Sequence, residues 1–191
     1  MARRANLLII AGILLIGLSL GSLLITQMII RGTAADTDAV LKRLDQMIPN
    51  RTAGLPDTYR NTEMPVLQLE GQELVAILEI PEYSVRLPVH ATWGQGSALG
   101  IPRRFTGSAY DNTIVIGGSD QKGQFDCFDK IEPDTRVTLT DMTGAEFAYR
   151  IDQIQRSDSA EADILMDDNY ALTLFTRDAT TMDYLILRCS Q

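Results

Sequence analysis

The sequence is poor in metal ligands and in cysteine: it contains one histidine, His90, and two cysteines, Cys127 and Cys189. A zinc site needs three or four clustered Cys, His or carboxylate ligands, and a disulfide scaffold needs several cysteine pairs. We therefore predict no metal and no cofactor. We expect the two thiols to be separate and packed as small apolar side chains, with a disulfide between them as the alternative.

Basic residues are outnumbered by acidic ones, 17 to 25. Residues 1–31 hold three of the arginines and no Asp or Glu, which leaves 14 basic against 25 acidic residues in the remainder, a net charge of −11. A domain this acidic is a poor candidate for nucleic acid or for adsorption to anionic lipid. With 45% hydrophobic and 22% charged residues, the composition is that of one globular domain with an appendage.

The appendage begins with an uncharged, apolar run over residues 7–30. At about 1.5 Å per residue, a helix of this length crosses a hydrocarbon core of roughly 30 Å. Arg3 and Arg4 precede the run and only Arg31 follows at once, so the positive-inside bias puts the N-terminus in the cytoplasm. We predict that residues 1–31 are a retained single-pass anchor in the cell membrane, with the C-terminal domain outside the cell. A cleaved signal peptide is the alternative.

Residues 32–64 read as a juxtamembrane helix and a linker. Apolar residues at Val40, Leu41 and Leu44 form a short helical stripe that ends before Pro49. This helix either packs on the domain or lies on the membrane surface. Residues 49–63 have the Pro, Gly, Asn and Thr content of a linker or a wrapping extension.

From residue 65 to residue 191 the pattern is that of short strands. Runs of β-branched or apolar residues are separated by Gly, Pro, Asp and Asn. We predict strands at Leu74–Ile80, Val85–Val89, Thr113–Ile116, Arg136–Thr140, Phe147–Ile154, Leu172–Thr176 and Tyr184–Leu187. Seven or eight strands in this length predict a mainly β domain, closed as a barrel or stacked as a sandwich.

Five segments carry a more specific pattern. Leu74–Pro88 reads LVAILEIPEYSVRLP, Asn112–Gly118 reads NTIVIGG, and Phe125–Ile131 reads FDCFDKI; LTLFT at Leu172–Thr176 and YLIL at Tyr184–Leu187 follow. In this order they resemble sequence segments of sortases, the membrane-anchored cysteine transpeptidases of Gram-positive surfaces. Each piece alone is weak, and the resemblance depends on their order and spacing behind an N-terminal anchor.

The resemblance implies an eight-stranded β-barrel with short helices over residues 65–191, and a groove at one end where strands seven and eight present the site. It also implies a chemistry. A cysteine thiolate attacks a Thr-Gly or similar bond of a sorting signal, a histidine transfers protons, and an arginine stabilises the oxyanion. An amine then resolves the acyl-enzyme.

Carried over position by position, the resemblance puts Ser119 at the histidine position, Arg177 at the cysteine position and Tyr184 at the arginine position. Arginine stays protonated in proteins and is neither a nucleophile nor a base, and serine does not titrate near neutrality. We therefore predict no catalytic residues, and a sortase-like protein whose centre is degenerate. Ser119, Thr176, Arg177 and Tyr184 are the candidates for lining a ligand groove.

Two rearranged centres are the enzymatic alternatives. Cys127 or Cys189 would replace the missing thiol in an active sortase, although strand alternation turns Cys189 away from the side that Tyr184 uses. A Ser-His-Asp hydrolase would combine His90 with Ser119 and the following aspartate, but no nucleophile-elbow motif surrounds Ser119.

An acidic loop precedes the strand at Leu172. Some sortases bind calcium at the equivalent loop, and Glu161, Asp163, Asp167 and Asp168 would be the carboxylates here. Calcium normally takes six to eight oxygen ligands from several segments. We expect a solvated loop instead.

The sequence thus favours a membrane-anchored, sortase-like binding or accessory protein in surface-protein or pilus anchoring. Its partners would be a sorting-signal peptide, a cell-envelope polymer or an active sortase. An active transpeptidase with a rearranged centre and a membrane-tethered all-β binding module are the alternatives.

Overall fold

A computed structural model describes residues 37–48, 52–53, 63–94 and 100–191. The predicted anchor, residues 1–31, lies outside the described residues, and so does most of the predicted linker. Among the described residues, no helix has the length and apolar character that a membrane span requires.

Strands make up most of the described chain. Helix α1 covers residues 37–47 and helix α2 covers Ala162–Leu165, and two short 3₁₀ turns lie at Pro81–Tyr83 and Phe128–Lys130. The strands are β1 (Thr52–Ala53), β2 (Leu67–Leu69), β3 (Gln72–Ile80), β4 (Val85–His90), β5 (Arg103–Thr106), β6 (Ile114–Ser119), β7 (Arg136–Asp141), β8 (Ala145–Ser157), β9 (Leu172–Arg177) and β10 (Tyr184–Ser190).

Eight of these strands close into a barrel. The pairing runs β3, β4, β5, β6, β9, β10, β8, β7 and returns to β3, because β7 pairs with both β3 and β8. The short strands β1 and β2 add to β8 and β3 outside this ring. This confirms the predicted mainly β, eight-stranded barrel with few short helices, and it makes β9 and β10 the seventh and eighth barrel strands.

Strand alternation separates the core from the outer surface. Large aliphatic side chains from every second position of β6, β9 and β10 point inward, where they join one cluster with Phe125 and Phe128. The intervening positions point outward, and Val115, Phe175 and Ile186 form a second cluster there with Leu165 of α2. The sheet that connects β6, β9 and β10 is therefore apolar on both faces.

Helix α1 packs on the barrel wall, one of the two placements that the sequence left open. Val40, Leu41 and Leu44 contact a cluster that includes Leu74 and Ile77 of β3. One ion pair joins the helix to the barrel: Arg86 Nη1 of β4 donates to Asp45 Oδ2 at 3.1 Å, while Arg86 Nε donates to Glu79 Oε1 of β3 at 2.8 Å.

Two segments differ from the sequence-based prediction. Strand β5 was not predicted, since two adjacent arginines, Arg103 and Arg104, break the apolar pattern. The segment Phe125–Ile131 resembles a segment that is helical in sortases, so the resemblance implies a helix here; the structure has instead a series of turns that includes the 3₁₀ turn Phe128–Lys130. Cys127 lies immediately before that turn.

Candidate functional site

The ends of three adjacent strands bring the predicted site residues together. In the parallel pair β6–β9, Ser119 lies opposite Arg177, and in the antiparallel pair β9–β10, Tyr184 lies opposite the same Arg177. Ser119, Arg177 and Tyr184 therefore form one row across three strands. Residues far apart in sequence meet here only because β6 and β9 are direct neighbours.

Alternation fixes which side of the sheet each residue uses. Ser119, Arg177 and Tyr184 share the parity of the outer cluster residues Val115, Phe175 and Ile186, so all three point outward. Thr176 has the opposite parity and points into the barrel end. The structure thus brings three of the four groove candidates together and places Thr176 on the other face.

The outward row carries hydrogen-bonding groups. Arg177 Nε donates to the carbonyl of Met182 at 3.2 Å, and the guanidinium carbon lies 5.7 Å from the centroid of the Tyr184 ring. Ser119 Oγ accepts the backbone N–H of Gln121 at 3.2 Å. The Nη1 and Nη2 groups of Arg177 donate to no other group among the described residues, so two parallel donors are open to a carboxylate.

Next to this row lies a depression that we call the outer groove, made of two cavities that Trp93 lines in common. The larger cavity, of about 700 Å³, extends past Phe105 and Arg104. The smaller one, of about 480 Å³, lies over Gly117 and Ser119, and its only charged lining residue among those described is Arg103. Glu63 and Asp111 also line the larger cavity, so its charge is mixed.

The floor of the outer groove is aromatic. Trp93 is 47% exposed, and its ring centroid lies 5.3 Å from that of Phe105 and 5.5 Å from that of Phe175. Glycine at 117 makes this possible, because a Cβ there would lie 2.5 Å from Phe175 Cζ and 2.6 Å from Trp93 Cζ3. The sequence did not predict this aromatic cluster, since Trp93 lies in a loop with no periodic pattern.

One wall of the outer face is held by a buried arginine. Arg188 is 4% exposed, and its Nη1 donates to Leu165 O at 2.7 Å and to Thr173 Oγ1 at 2.9 Å. Its Nη2 donates to Ile164 O. Burial lowers the pKa of Arg188. Its guanidinium therefore holds α2 against the sheet by hydrogen bonds. Arg188 lies four residues from Tyr184 along β10.

The barrel has counterparts among solved structures. Sortase A from Corynebacterium diphtheriae has a TM-score of 0.53 and 20% identity, covering 80% of this chain and 82% of that chain. Sortase C1 from Streptococcus agalactiae has a TM-score of 0.54 and 16% identity, covering 71% and 76%. Sortase C1 from Streptococcus suis has a TM-score of 0.52 and 21% identity, covering 64% and 75%.

The chain has the sortase fold. No protein-family model matches the sequence, and no curated protein does. At these identities the likeness is one of fold, and it confirms the resemblance drawn from the five sequence segments.

Neither cysteine lies in the outward row of the sortase fold. Cys189 is completely buried, lies opposite Leu172 at the other end of β9, and has a pKa that burial raises. Cys127 is half-buried, and desolvation followed by the neighbouring Asp126 raises its pKa as well. Both cysteines are free thiols. Reactive cysteines have lowered pKa values in electropositive sites, so neither environment suits a nucleophile.

His90 does not join Ser119. It ends β4, two strands from β6, and its Nδ1 is 3.2 Å from both the backbone N and the carbonyl of Thr92. Burial, and then the nearby charge of Arg103, lower its pKa. A Ser-His-Asp arrangement is therefore not formed.

The acidic loop before β9 is bonded to itself. Asp167 Oδ1 accepts the backbone N–H of Asn169 at 3.1 Å and its side-chain amide at 2.7 Å, and these bonds lower the pKa of Asp167. Among the described residues, no three His, Cys, Asp or Glu side chains are grouped to hold a metal ion.

Proposed function

We propose that this chain is a membrane-anchored protein with a non-catalytic sortase fold, which binds a carboxylate-bearing extended peptide in its outer groove. In this proposal it is an accessory protein in surface-protein or pilus anchoring. Residues 7–30 hold it in the cell membrane with the N-terminus in the cytoplasm, so that the barrel faces the outside of the cell.

The row formed by Ser119, Arg177 and Tyr184 is the observation that carries the proposal. These are the positions at which the resemblance to sortases requires histidine, cysteine and arginine. The three residues are neighbours on β6, β9 and β10, so the correspondence between positions is geometrically consistent. A guanidinium, a hydroxyl and a phenol can bind a ligand there. A hydroxyl needs an adjacent base to act as a nucleophile, and among the described residues neither Ser119 nor Tyr184 is hydrogen-bonded to one.

The two thiols do not compensate for this loss. Cys189 faces the barrel interior, and the pKa of each cysteine is raised. Acyl transfer needs the attacking atom about 3 to 3.5 Å from the carbonyl carbon. The attacking group must also be a thiolate, which a raised pKa disfavours. The burial of Cys189 and the raised pKa values of both cysteines therefore argue against a rearranged transpeptidase.

The charge of the groove suggests the ligand class. The barrel domain is acidic as a whole, yet Arg103 lines the smaller cavity and Arg177 lies in the adjoining row. A local positive potential on an acidic protein selects anionic groups. Trp93, Phe105 and Phe175 add an apolar surface for side chains, and a sorting-signal peptide with a carboxylate beside an apolar residue has both features.

Intrinsic fluorescence offers a direct test, because Trp93 is the only tryptophan of the chain and lies in the proposed groove. Full-length protein in detergent micelles would be titrated with a tryptophan-free peptide carrying a Thr-Gly sorting signal and one Asp or Glu. We expect a saturable change in Trp93 emission. Arg177→Gln should weaken binding about tenfold, the effect of losing one charge-assisted hydrogen-bonded pair.

Arg150→Gln is the matched control. Arg150 is an exposed arginine of β8 that pairs with Asp134 and lies opposite Ser190, far from the row. It removes the same charge and should leave the affinity within about twofold. Equal weakening by both variants, or binding of a cell-envelope polymer or an active sortase in place of the peptide, would contradict the assignment of the ligand.

A further inference from the structure

A third cavity, of about 280 Å³, opens at the barrel end on the opposite face of the sheet from the outer groove. Four aspartates line it: Asp120, Asp126, Asp129 and Asp178. We call this cavity the acidic mouth. Asp120 directly follows Ser119 and Asp178 directly follows Arg177, so the same strand ends that carry the outward row also deliver two carboxylates to the mouth.

The carboxylates of the acidic mouth are only partly used by the protein. Asp178 accepts the N–H groups of Thr180 and Thr181 and pairs with Arg156 at 3.1 Å; these bonds lower the pKa of Asp178 to about 2. Asp120 Oδ2 accepts the N–H of Ala179 at 2.6 Å, and Asp126 Oδ1 accepts the N–H of Gly123 at 3.2 Å.

Several acceptor atoms have no partner. Asp129 accepts no hydrogen bond from any described residue, and the second oxygens of Asp120 and Asp126 accept none either. Lys122 and Lys130 lie on the same segment, yet no ion pair joins them to these carboxylates. Three of the four aspartates therefore lack a counter-charge among the described residues.

An unpaired buried hydroxyl is a second, independent indication that a polar group binds here. Thr176 lines the cavity and is 2% exposed, and its Oγ1 has no hydrogen-bond partner. Leaving a buried polar group unpaired costs about 1 to 3 kcal/mol, so such groups are normally satisfied. Thr176 points inward at the end of β9, so the unpaired hydroxyl belongs to a residue that lines the acidic mouth.

We propose that the acidic mouth binds a guanidinium group on an aliphatic stem, as in an arginine side chain of a partner polypeptide. The open acceptor atoms among the described residues include the two Asp129 oxygens, one oxygen each of Asp120 and Asp126, and Thr176 Oγ1. A guanidinium has five N–H donors in a planar fork, whereas an ammonium has three. The rim already binds one guanidinium, that of Arg156 on Asp178.

The floor suits the remainder of such a side chain. Phe125 and Phe128 line the cavity as a stacked pair, with ring centroids 4.0 Å apart, and Leu185 lies beside them. Aliphatic stems and guanidinium planes both pack well on aromatic faces. The volume of about 280 Å³ is below that of most drug-sized pockets and matches one side chain better than a whole cofactor.

A bare metal ion fits the acidic mouth poorly. It needs several oxygens converging on one point, and among the described residues no three carboxylates are grouped in that way. A guanidinium is larger than a metal ion and can bridge carboxylates that lie farther apart. The proposal does not depend on the function of the outer groove, because none of the acidic mouth residues lines the two cavities that Trp93 joins.

The test uses isotopically labelled full-length protein in detergent micelles, titrated with Nα-acetyl-arginine methylamide and followed by amide NMR. We expect saturable shifts at Thr176, Phe125 and Phe128 and none at Gly117. Asp129→Asn should weaken binding about tenfold, and Thr176→Val, which keeps the shape and removes the hydroxyl, about two- to tenfold. Nα-acetyl-lysine methylamide and free L-arginine, in separate titrations, separate the guanidinium from the ammonium and a peptide group from a free amino acid.

Asp168→Asn is the matched control, since Asp168 is an exposed aspartate in the loop before β9, at the other end of that strand. It should leave the affinity unchanged within about twofold. Four outcomes would overturn the proposal: no saturable shift, equal weakening by Asp168→Asn, tighter binding of the lysine derivative, or binding of Ca²⁺ that Asp129→Asn abolishes. Stronger binding of free L-arginine would leave the guanidinium site in place and overturn the polypeptide as its source.

Discussion

The two faces of the same three strand ends have opposite chemistry. On the outer face, Arg103 and Trp93 line the smaller cavity of the outer groove, Phe175 packs against Trp93, and Arg177 lies in the adjoining row. On the inner face, one residue away along each strand, Thr176 and a ring of aspartates border the acidic mouth. A single sheet therefore separates a basic, aromatic surface from an acidic one.

This difference follows from strand alternation. Neighbouring residues of a strand point to opposite faces, so a change at Arg177 alters the outer groove and a change at Thr176 alters the acidic mouth. The following predictions test how independent the two faces are.

The largest expected effect is on the outer face, at Arg188. Arg188→Leu leaves Leu165 O, Ile164 O and Thr173 Oγ1 without their donor, so we expect a loss of about 2 to 4 kcal/mol in the free energy of unfolding. Urea denaturation measures it. Arg177→Leu, which removes an exposed arginine of the same face, should cost less than about 0.5 kcal/mol. Similar losses of unfolding free energy for the two variants would show that Arg188 does not hold α2 against the sheet.

The paired glycines compare the two faces directly. A Cβ at Gly118 would lie 2.5 Å from Phe125 Cε2, which is fixed in the core by stacking on Phe128. A Cβ at Gly117 would lie 2.5 Å from Cζ of the buried Phe175 and 2.6 Å from Cζ3 of Trp93, which is half-exposed and can move. Gly118→Ala should cost about 2 to 3 kcal/mol, and Gly117→Ala about 1 to 2 kcal/mol. The urea midpoints of the two variants give this order, and the reverse order would contradict the assignment of the faces.

The third prediction concerns the thiols. Cys189 and Cys127 have raised pKa values, so iodoacetamide at neutral pH should leave Cys189 of the folded protein unlabelled and label Cys127 more slowly than the same residue in the unfolded chain. Peptide mapping after timed quenching distinguishes the two sites. If either cysteine were labelled faster in the folded protein than in the unfolded chain, the result would support an active transpeptidase that uses that cysteine.

The smallest expected effect is a pH dependence from His90. Because the pKa of His90 is lowered in the folded state, the unfolded chain takes up the proton first. The contribution of His90 to the free energy of unfolding should be fully present above about pH 6.5, the pKa of an unperturbed histidine. It should be lost as the pH falls from there through the lower pKa of the folded state, with a slope of at most about 1.4 kcal/mol per pH unit. His90→Asn should flatten the slope between pH 7 and pH 5.5 in urea titrations. An unchanged slope would assign the effect to other groups.

Much of the fold could be predicted from the sequence, because apolar strands such as Leu172–Thr176 alternate and are bounded by turn residues. Strand β5 escaped prediction since hydrogen bonds to β6, and not its own composition, hold it in the sheet. The row of Ser119, Arg177 and Tyr184 could be predicted only through the resemblance, as no local pattern pairs β6 with β9.

The acidic mouth could not be predicted from the sequence. Its aspartates come from segments about Asp120–Asp129 and Asp178, and only the barrel closes the gap between them. The sequence did contain one indication, because successive strand residues point to opposite faces, so Thr176 and Arg177 cannot line the same groove. The same alternation turns Cys189 away from Tyr184, and it excludes Thr176 from the groove candidates.

The most direct test of the account is whether the protein forms an acyl-enzyme. Full-length protein would be incubated with a peptide carrying a Thr-Gly sorting signal, with and without an amine acceptor, and analysed by intact mass spectrometry. The account predicts reversible binding, no covalent adduct and no cleaved peptide. An adduct that disappears in Cys127→Ser or Cys189→Ser would contradict it.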